Sequence, residues 1–173
     1  MKKINYLILL VVVLVGISCE PTYKKTYSWA YPVAGDWRVN SYIGGVLQKG
    51  GPYEIKSYNS SFGKDSVWFD DYGSSTFDAI KNKWTISNGN FYTMKYKTSV
   101  NMSTKTFGND TTKAVMNAIG GYEIGIKVFN GKIIGNDSIS FDIQFEDDTT
   151  PYGTTYQLAG HREVSYEDYI NKP

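Results

Sequence analysis

The chain has 173 residues, with 18 basic and 17 acidic side chains, one histidine and one cysteine. That balance, with no cluster of lysine or arginine, excludes nucleic-acid binding, which needs massed cations to displace counterions. One histidine and one cysteine leave too few ligands for zinc, and no cofactor is implied.

Residues 1–18 have the three parts of a secretory signal peptide. Lys2 and Lys3 make a positive start, and residues 6–17 (YLILLVVVLVGI) form an uncharged apolar run. That run is shorter than the ~20 residues a spanning helix needs and fits a signal h-region. Gly16 and Ser18 precede Cys19 in a lipobox-like pattern, with Gly16 where leucine is commoner. The alternative is an uncleaved anchor or an ordinary signal peptide. The lone cysteine favours lipidation, because a thioether consumes a thiol that would be a liability outside the cytoplasm. Cys19 is therefore the expected lipid-attachment residue. The protein is expected at the cell envelope, lipid-anchored to the outer membrane, either periplasmic or surface-exposed. Cleavage leaves 16 basic residues against 17 acidic ones in a mature chain of 155 residues, which suits one domain with one core.

Residues 19–34 read as the lipidated N-terminus and a tether, with Pro21 and Pro32 and no sustained periodicity. Part of this stretch is sticky enough, with its tyrosines and Trp29, to pack on the domain. Residues 35–173 form the domain. In residues 37–43, Trp37, Val39, Ser41 and Ile43 alternate with Arg38, Asn40 and Tyr42, the period of a strand. Residues 53–60 (YEIKSYNS), 65–71 (DSVWFDD) and 91–100 (FYTMKYKTSV) are further strands. Residues 77–84 and 111–119 each read as a short helix, the second with a threonine cap. Residues 124–129 run into Asn130-Gly131 and then Lys132-Ile133-Ile134, a hairpin signal because both turn positions need positive φ. Residues 138–145 (SISFDIQF) alternate throughout, with Ile139, Phe141, Ile143 and Phe145 on one face. Residues 155–162 close the series. Seven or eight short antiparallel strands predict a sandwich or an up-and-down barrel.

Gly35-Asp36-Trp37 opens the first strand, and Arg162 lies near the end of the last. This arrangement resembles lipocalin-like barrels, in which the indole of a Gly-x-Trp packs across one barrel end beneath an arginine of the last strand. The contact would be cation–π, worth about 0.5–2 kcal/mol. Parity agrees: Tyr156, Leu158 and Gly160 share a face with Arg162, and Trp37 shares one with Val39 and Ile43. Residues 53–60, 65–73, 130–134, 137–148 and 160–168 (GHREVSYED) also resemble, in order, the Bacteroidetes family called lipid-binding putative hydrolase, a group of small lipoproteins with a lipocalin-like fold. Residues 74–86 are longer than usual for that family, and Glu163 to Tyr166 replace its usual Thr-Gly-Phe. The resemblance implies an all-β, lipocalin-like antiparallel up-and-down β-barrel of about eight strands, with at most short helices.

The hydrolase in the family's name finds no catalytic motif. The chain has no Gly-x-Ser-x-Gly elbow, and its only histidine, His161, has outward parity, away from any nucleophile. Asp70-Asp71, Glu146-Asp147-Asp148 and Glu167-Asp168 are sequence neighbours on opposite strand faces, which does not suit a glycosidase pair; they read as solvated turn residues. No calcium-loop spacing is present, so no metal site is expected. The remaining feature is aromatic content, with 15 Tyr, 8 Phe and 4 Trp. Inward rings would fill a barrel or line its cavity; outward Tyr42 and Tyr58 would stack on sugars.

The leading reading is a membrane-anchored, non-enzymatic lipoprotein that binds an apolar small molecule such as a lipid or fatty acid. Val39, Ile139, Phe141, Ile143, Tyr156 and Leu158 are the candidate ligand-lining residues, and Trp37 with Arg162 the structural pair at the barrel end. The alternatives are a cell-surface module that binds a glycan or docks a protein partner, and, more weakly, a lipid or ester hydrolase.

Overall fold

A computed structural model describes residues 28–61, 63–71, 75–78, 83–86, 91–116 and 122–163. The expected signal peptide, Cys19, most of the expected tether and the Glu167-Asp168 pair lie outside the described residues.

The first strand, β1 (Gly35–Ile43), turns through Gly44-Gly45 into the short β2 (Val46–Leu47). Both glycines have positive φ, 57° and 79°, the pattern of a two-residue hairpin turn that matches strand twist. Then follow β3 (Tyr53–Asn59), β4 (Ser66–Asp70), β5 (Ser75–Asp78), β6 (Lys83–Ile86), β7 (Met94–Asn101), β8 (Thr106–Met116), β9 (Tyr122–Ile134), β10 (Ser138–Phe145) and β11 (Tyr156–Arg162). Eight of these, β1, β3, β4 and β7 to β11, pair in that order, and β11 returns to pair with β1. Each neighbouring pair is antiparallel. The result is a closed up-and-down barrel with β2 added beside β1, and closure removes the open edges that invite aggregation.

Alternation fills the inside. Burial along β10 switches at every residue, with Ile139, Phe141, Ile143 and Phe145 buried and the residues between them part-exposed. Trp37, Val39, Tyr53, Ile55, Val67, Phe69, Met94, Tyr96, Phe107, Ile124, Ile126, Val128, Ile133 and Leu158 pack with them in the core. Ala30 and Val33, just before β1, are fully buried in the same core, so the last residues of the expected tether are part of the folded body.

Where they are described, the two expected helices are strands, and residues 79–82 and 117–119 lie outside the described residues. Within residues 77–84, Phe77 and Asp78 belong to β5 and Lys83 and Trp84 to β6, which pair as a separate antiparallel hairpin. Residues 111–116 continue β8, hydrogen-bonded to β7 on one side and β9 on the other. Ala and Met are good helix formers, but intrinsic propensity is a small term, and two waiting ladders outweigh it.

The Asn130-Gly131 hairpin is also corrected. Both residues lie inside β9, where the partners step from Ser140–Lys132 to Asp142–Phe129. Two residues of β9 therefore face one of β10, a β-bulge. Asn130 takes φ 54°, the left-handed conformation that asparagine tolerates. Gly131 is required for another reason: a Cβ there would meet the carbonyl oxygen and ring of Phe107. The turn itself falls later, at Gly135, with φ 63°. The strand expected at 91–100 starts only at Met94, because Thr93 has φ 56° and breaks the extended run.

Candidate functional site

The barrel has two unlike ends. At one, β1 begins and β11 ends, with Trp37 paired to Arg162 in register. Trp37 is fully buried, and its indole donates to Ser57 Oγ at 2.8 Å. Ser57 in turn donates to the Val33 carbonyl at 2.7 Å. The Arg162 guanidinium lies 4.5 Å from the Trp37 ring centroid and 5.5 Å from that of Tyr31. It also donates to the carbonyls of Ala34 and Pro32, and at 3.5 Å to that of Tyr31. Burial lowers the Arg162 pKa from its ordinary value. A Cβ on Gly35 would come within 3.0 Å of Arg162 Nη1, so the glycine of Gly-x-Trp leaves room for the arginine. One cation thus locks residues 31–34 across this end.

Above that floor lies a layer of rings. Phe69 stacks on Tyr96 with centroids 5.6 Å apart, and meets Phe107 at 4.8 Å and Phe141 at 5.7 Å. The six candidate lining residues sit on three adjacent strands. Leu158 pairs with Phe141 and Ser41, and Tyr156 with Ile143. Val39 and Ile139 flank Gly160 from either side. Five of the six are buried and Tyr156 is half-buried, so they form one continuous apolar wall.

The opposite end is the mouth. Residues 91–93, which belong to no barrel strand, cross it. Phe91 meets Tyr53 at 5.2 Å and Tyr156 at 5.7 Å, while Tyr92 stacks on Phe145 at 4.1 Å. What holds this plug is Asp71. Its carboxylate accepts the backbone N–H of Tyr92 at 2.7 Å and that of Met94. Asp71 was expected in a solvated turn and is instead 2 % exposed. Burial pushes its pKa up to about 6, against the lowering effect of the backbone N–H groups it accepts. The plug is therefore tied by a costly buried charge and carries a strained Thr93, since a β-branched residue at positive φ is an outlier. The sequence signal for this was the adjacency of Asp71 to a long insertion.

The rim beside the plug is acidic. Glu146 accepts the Gly125 N–H, and Asp148 accepts from Thr154 N and Tyr156 Oη. Burial, with the nearby Tyr156, Asp147 and Asp148, holds Tyr92 up at about 12.

The outer wall carries the other candidates. His161 is exposed, and Ser138, its cross-strand neighbour, donates to Asp137 at 3.1 Å instead. Tyr58, a candidate sugar platform, donates to Asp70 Oδ2 at 2.9 Å and has Lys95 over its ring at 5.4 Å, so that face is occupied. Among the described residues no group of three His, Cys, Asp or Glu is placed to hold a metal ion. An open groove of about 1270 Å³ runs over the outside of β7 to β11, where the bulges bend β8 and β9. Its polar lining includes Asn101, Asn130, Lys132, Asp142 and Gln157.

No curated protein matches this chain. The lipid-binding putative hydrolase family model matches residues 22–167, a span that takes in every barrel strand from Gly35 to Arg162; the chain belongs to that family.

Proposed function

We propose that the protein is a non-enzymatic lipoprotein of the cell envelope, anchored through Cys19 to the outer membrane, whose barrel takes up an apolar ligand such as a lipid. The observation that carries this reading is the mouth. Its contents include a separate segment, residues 91–93, whose Phe91 and Tyr92 rings occupy apolar surface between barrel strands. That segment is tied to the barrel backbone through one carboxylate. A lipid chain replacing those rings would meet Phe145, Tyr156 and then the wall of Ile143, Phe141 and Leu158. The family's lipid-binding description supports the same ligand class. Titrating the purified protein with an apolar fluorescent probe tests the reading. Saturable binding of one probe per chain, displaced by lipid, is expected. Absence of binding by any apolar probe would overturn it.

The outer groove favours a second reading, a glycan or partner site. Across three strands it presents Phe129, Asp142 and Gln157 in one row, and Lys132 and Ser140 in the next. Ring, carboxylate and amide side by side are groups that sugars use. Retention of sugars on a glycan array, with no apolar binding, would decide for it.

A further inference from the structure

Three hydroxyls inside the barrel have no hydrogen-bond partner: Ser41 Oγ, Tyr96 Oη and Thr98 Oγ1. Each residue is 1 % exposed. Buried hydroxyls are nearly always paired, because an unpaired one forfeits its water without compensation. Tyr96 is the most telling. It sits one pleat inward of Met94, stacked on Phe69 in the ring layer that the plug covers. Burial, and then the charge of Asp71, raise its pKa well above the usual phenol value, so it keeps its proton and offers a donor. Phenylalanine would fill the same space at no polar cost.

The charges around this interior have one sign. Among the described residues, Asp71 is the only buried charged side chain, and Glu146, Asp147 and Asp148 stand at the rim. Of the described cations of this end, Lys95 lies over Trp68 on the outer wall beside Asp70, Lys127 lies over Tyr152, and Lys49 is exposed in the loop before β3. Arg162, at the far end, gives its Nη donors to the carbonyls of residues 31–34 and lies against the Trp37 ring, and its unpartnered Nε stays at that end, away from the ring layer's mouth side. An ionised carboxylate entering from the mouth would pass three acids and, once inside the ring layer, find no buried cation among the described residues to pair with, and an unpaired buried charge is far costlier than an unpaired dipole.

We infer that the barrel selects an uncharged lipid bearing a hydroxyl or carbonyl group, of the fatty-alcohol, glyceride or sterol class, and that Tyr96 Oη hydrogen-bonds that group. This rests on the lipid-binding reading and narrows it against free fatty acids. The test is competition against the apolar probe at about pH 8, where carboxylic acids are ionised, with dodecanol, dodecanoate and dodecane as ligands. Dodecanol should bind at least about tenfold more tightly than dodecanoate and about three- to tenfold more tightly than dodecane, the ratio one hydrogen bond gives. Tyr96→Phe should erase the preference for dodecanol over dodecane while leaving the thermal midpoint unchanged or raised. Dodecanoate binding as tightly as dodecanol would overturn the inference and leave the lipid reading standing. So would a folded Tyr96→Phe protein that binds dodecanol like wild type, which would leave only a buried water at that hydroxyl. Failure of all three ligands would overturn the lipid reading itself.

Discussion

The closed end of the barrel can be dismantled one group at a time. Trp37→Ala empties a fully buried indole site, which costs about 3–5 kcal/mol for a large aromatic. Ser57 keeps the Val33 carbonyl as its acceptor, so no orphaned donor adds to that figure. Arg162→Ala removes the bond to Ala34 and the contact with the Trp37 ring. A charge-assisted hydrogen bond contributes about 1.5–3 kcal/mol, and a cation–π contact about 0.5–2 kcal/mol. The arginine is half-exposed, so the total should fall near 2–4 kcal/mol. Only the ring contact is shared by the two residues. The double variant should therefore be more stable than the sum of the single losses by about 0.5–2 kcal/mol. Equilibrium urea unfolding of the four proteins measures this coupling directly. Losses that add within about 0.5 kcal/mol would mean that the ring and the guanidinium exchange no energy, whatever their distance.

Asp71 should make stability depend on pH. Its folded pKa of about 6 lies above the ordinary 3.8, so its contribution is fully present below about pH 4 and is lost as pH rises through 6, to a total of about 3 kcal/mol. Urea midpoints of wild type should therefore fall relative to Asp71→Asn across that window, and parallel curves would refute the burial argument. If Cys19 carries the proposed anchor, Cys19→Ala should move the protein from the membrane fraction to the soluble one, since the proposed signal sequence is untouched; wild-type retention would exclude lipidation. Ile143→Trp should weaken lipid binding by filling the wall beneath the mouth, with an overpacking cost of about 1–3 kcal/mol. Each buried CH₂ gains roughly 0.8 kcal/mol, and ordering costs offset much of the sum, so wild-type affinity should be micromolar at best. A folded Ile143→Trp protein that binds like wild type would place the ligand elsewhere.

Strand periodicity was the legible part of this chain. Residues 138–145 alternate so cleanly that β10 and its inward face followed from the letters alone, and the parity of Trp37 and Arg162 matches the register that pairs them. Local conflicts were not legible. Asn130-Gly131 meets every chemical requirement of a turn, but a bulge asks for the same left-handed residue, and only the neighbouring strands decide between them. Residues 77–84 and 111–116 have mixed propensities, and the state of 77–78, 83–84 and 111–116 was set by ladders to neighbouring strands. Asp71 was hidden for a different reason. Parity with Val67 and Phe69 turns Asp71 rather than Asp70 inward, but the plug that needs its carboxylate lies 20 residues further on. Sequence reasoning also missed Tyr96, since the alternation of residues 91–100 shows where the ring points but not whether its hydroxyl is paired.

The attachment of residues 31–34 by Arg162 decides which pole of the barrel a lipid on Cys19 would hold. Ser28 and Cys19 are nine residues apart, a reach of about 30 Å when fully extended. The chain enters at the end that Trp37 closes, and the mouth lies at the other pole. With Cys19 acylated, the closed pole is leashed to the lipid surface and the mouth points outward, unless the barrel lies on its side. A ligand would then arrive from the facing compartment or from a carrier docking at the rim, rather than by climbing directly out of the leaflet that holds the anchor. Moving the same anchor to the loop between β10 and β11, which sits at the mouth, would reverse that polarity without touching a single residue of the interior.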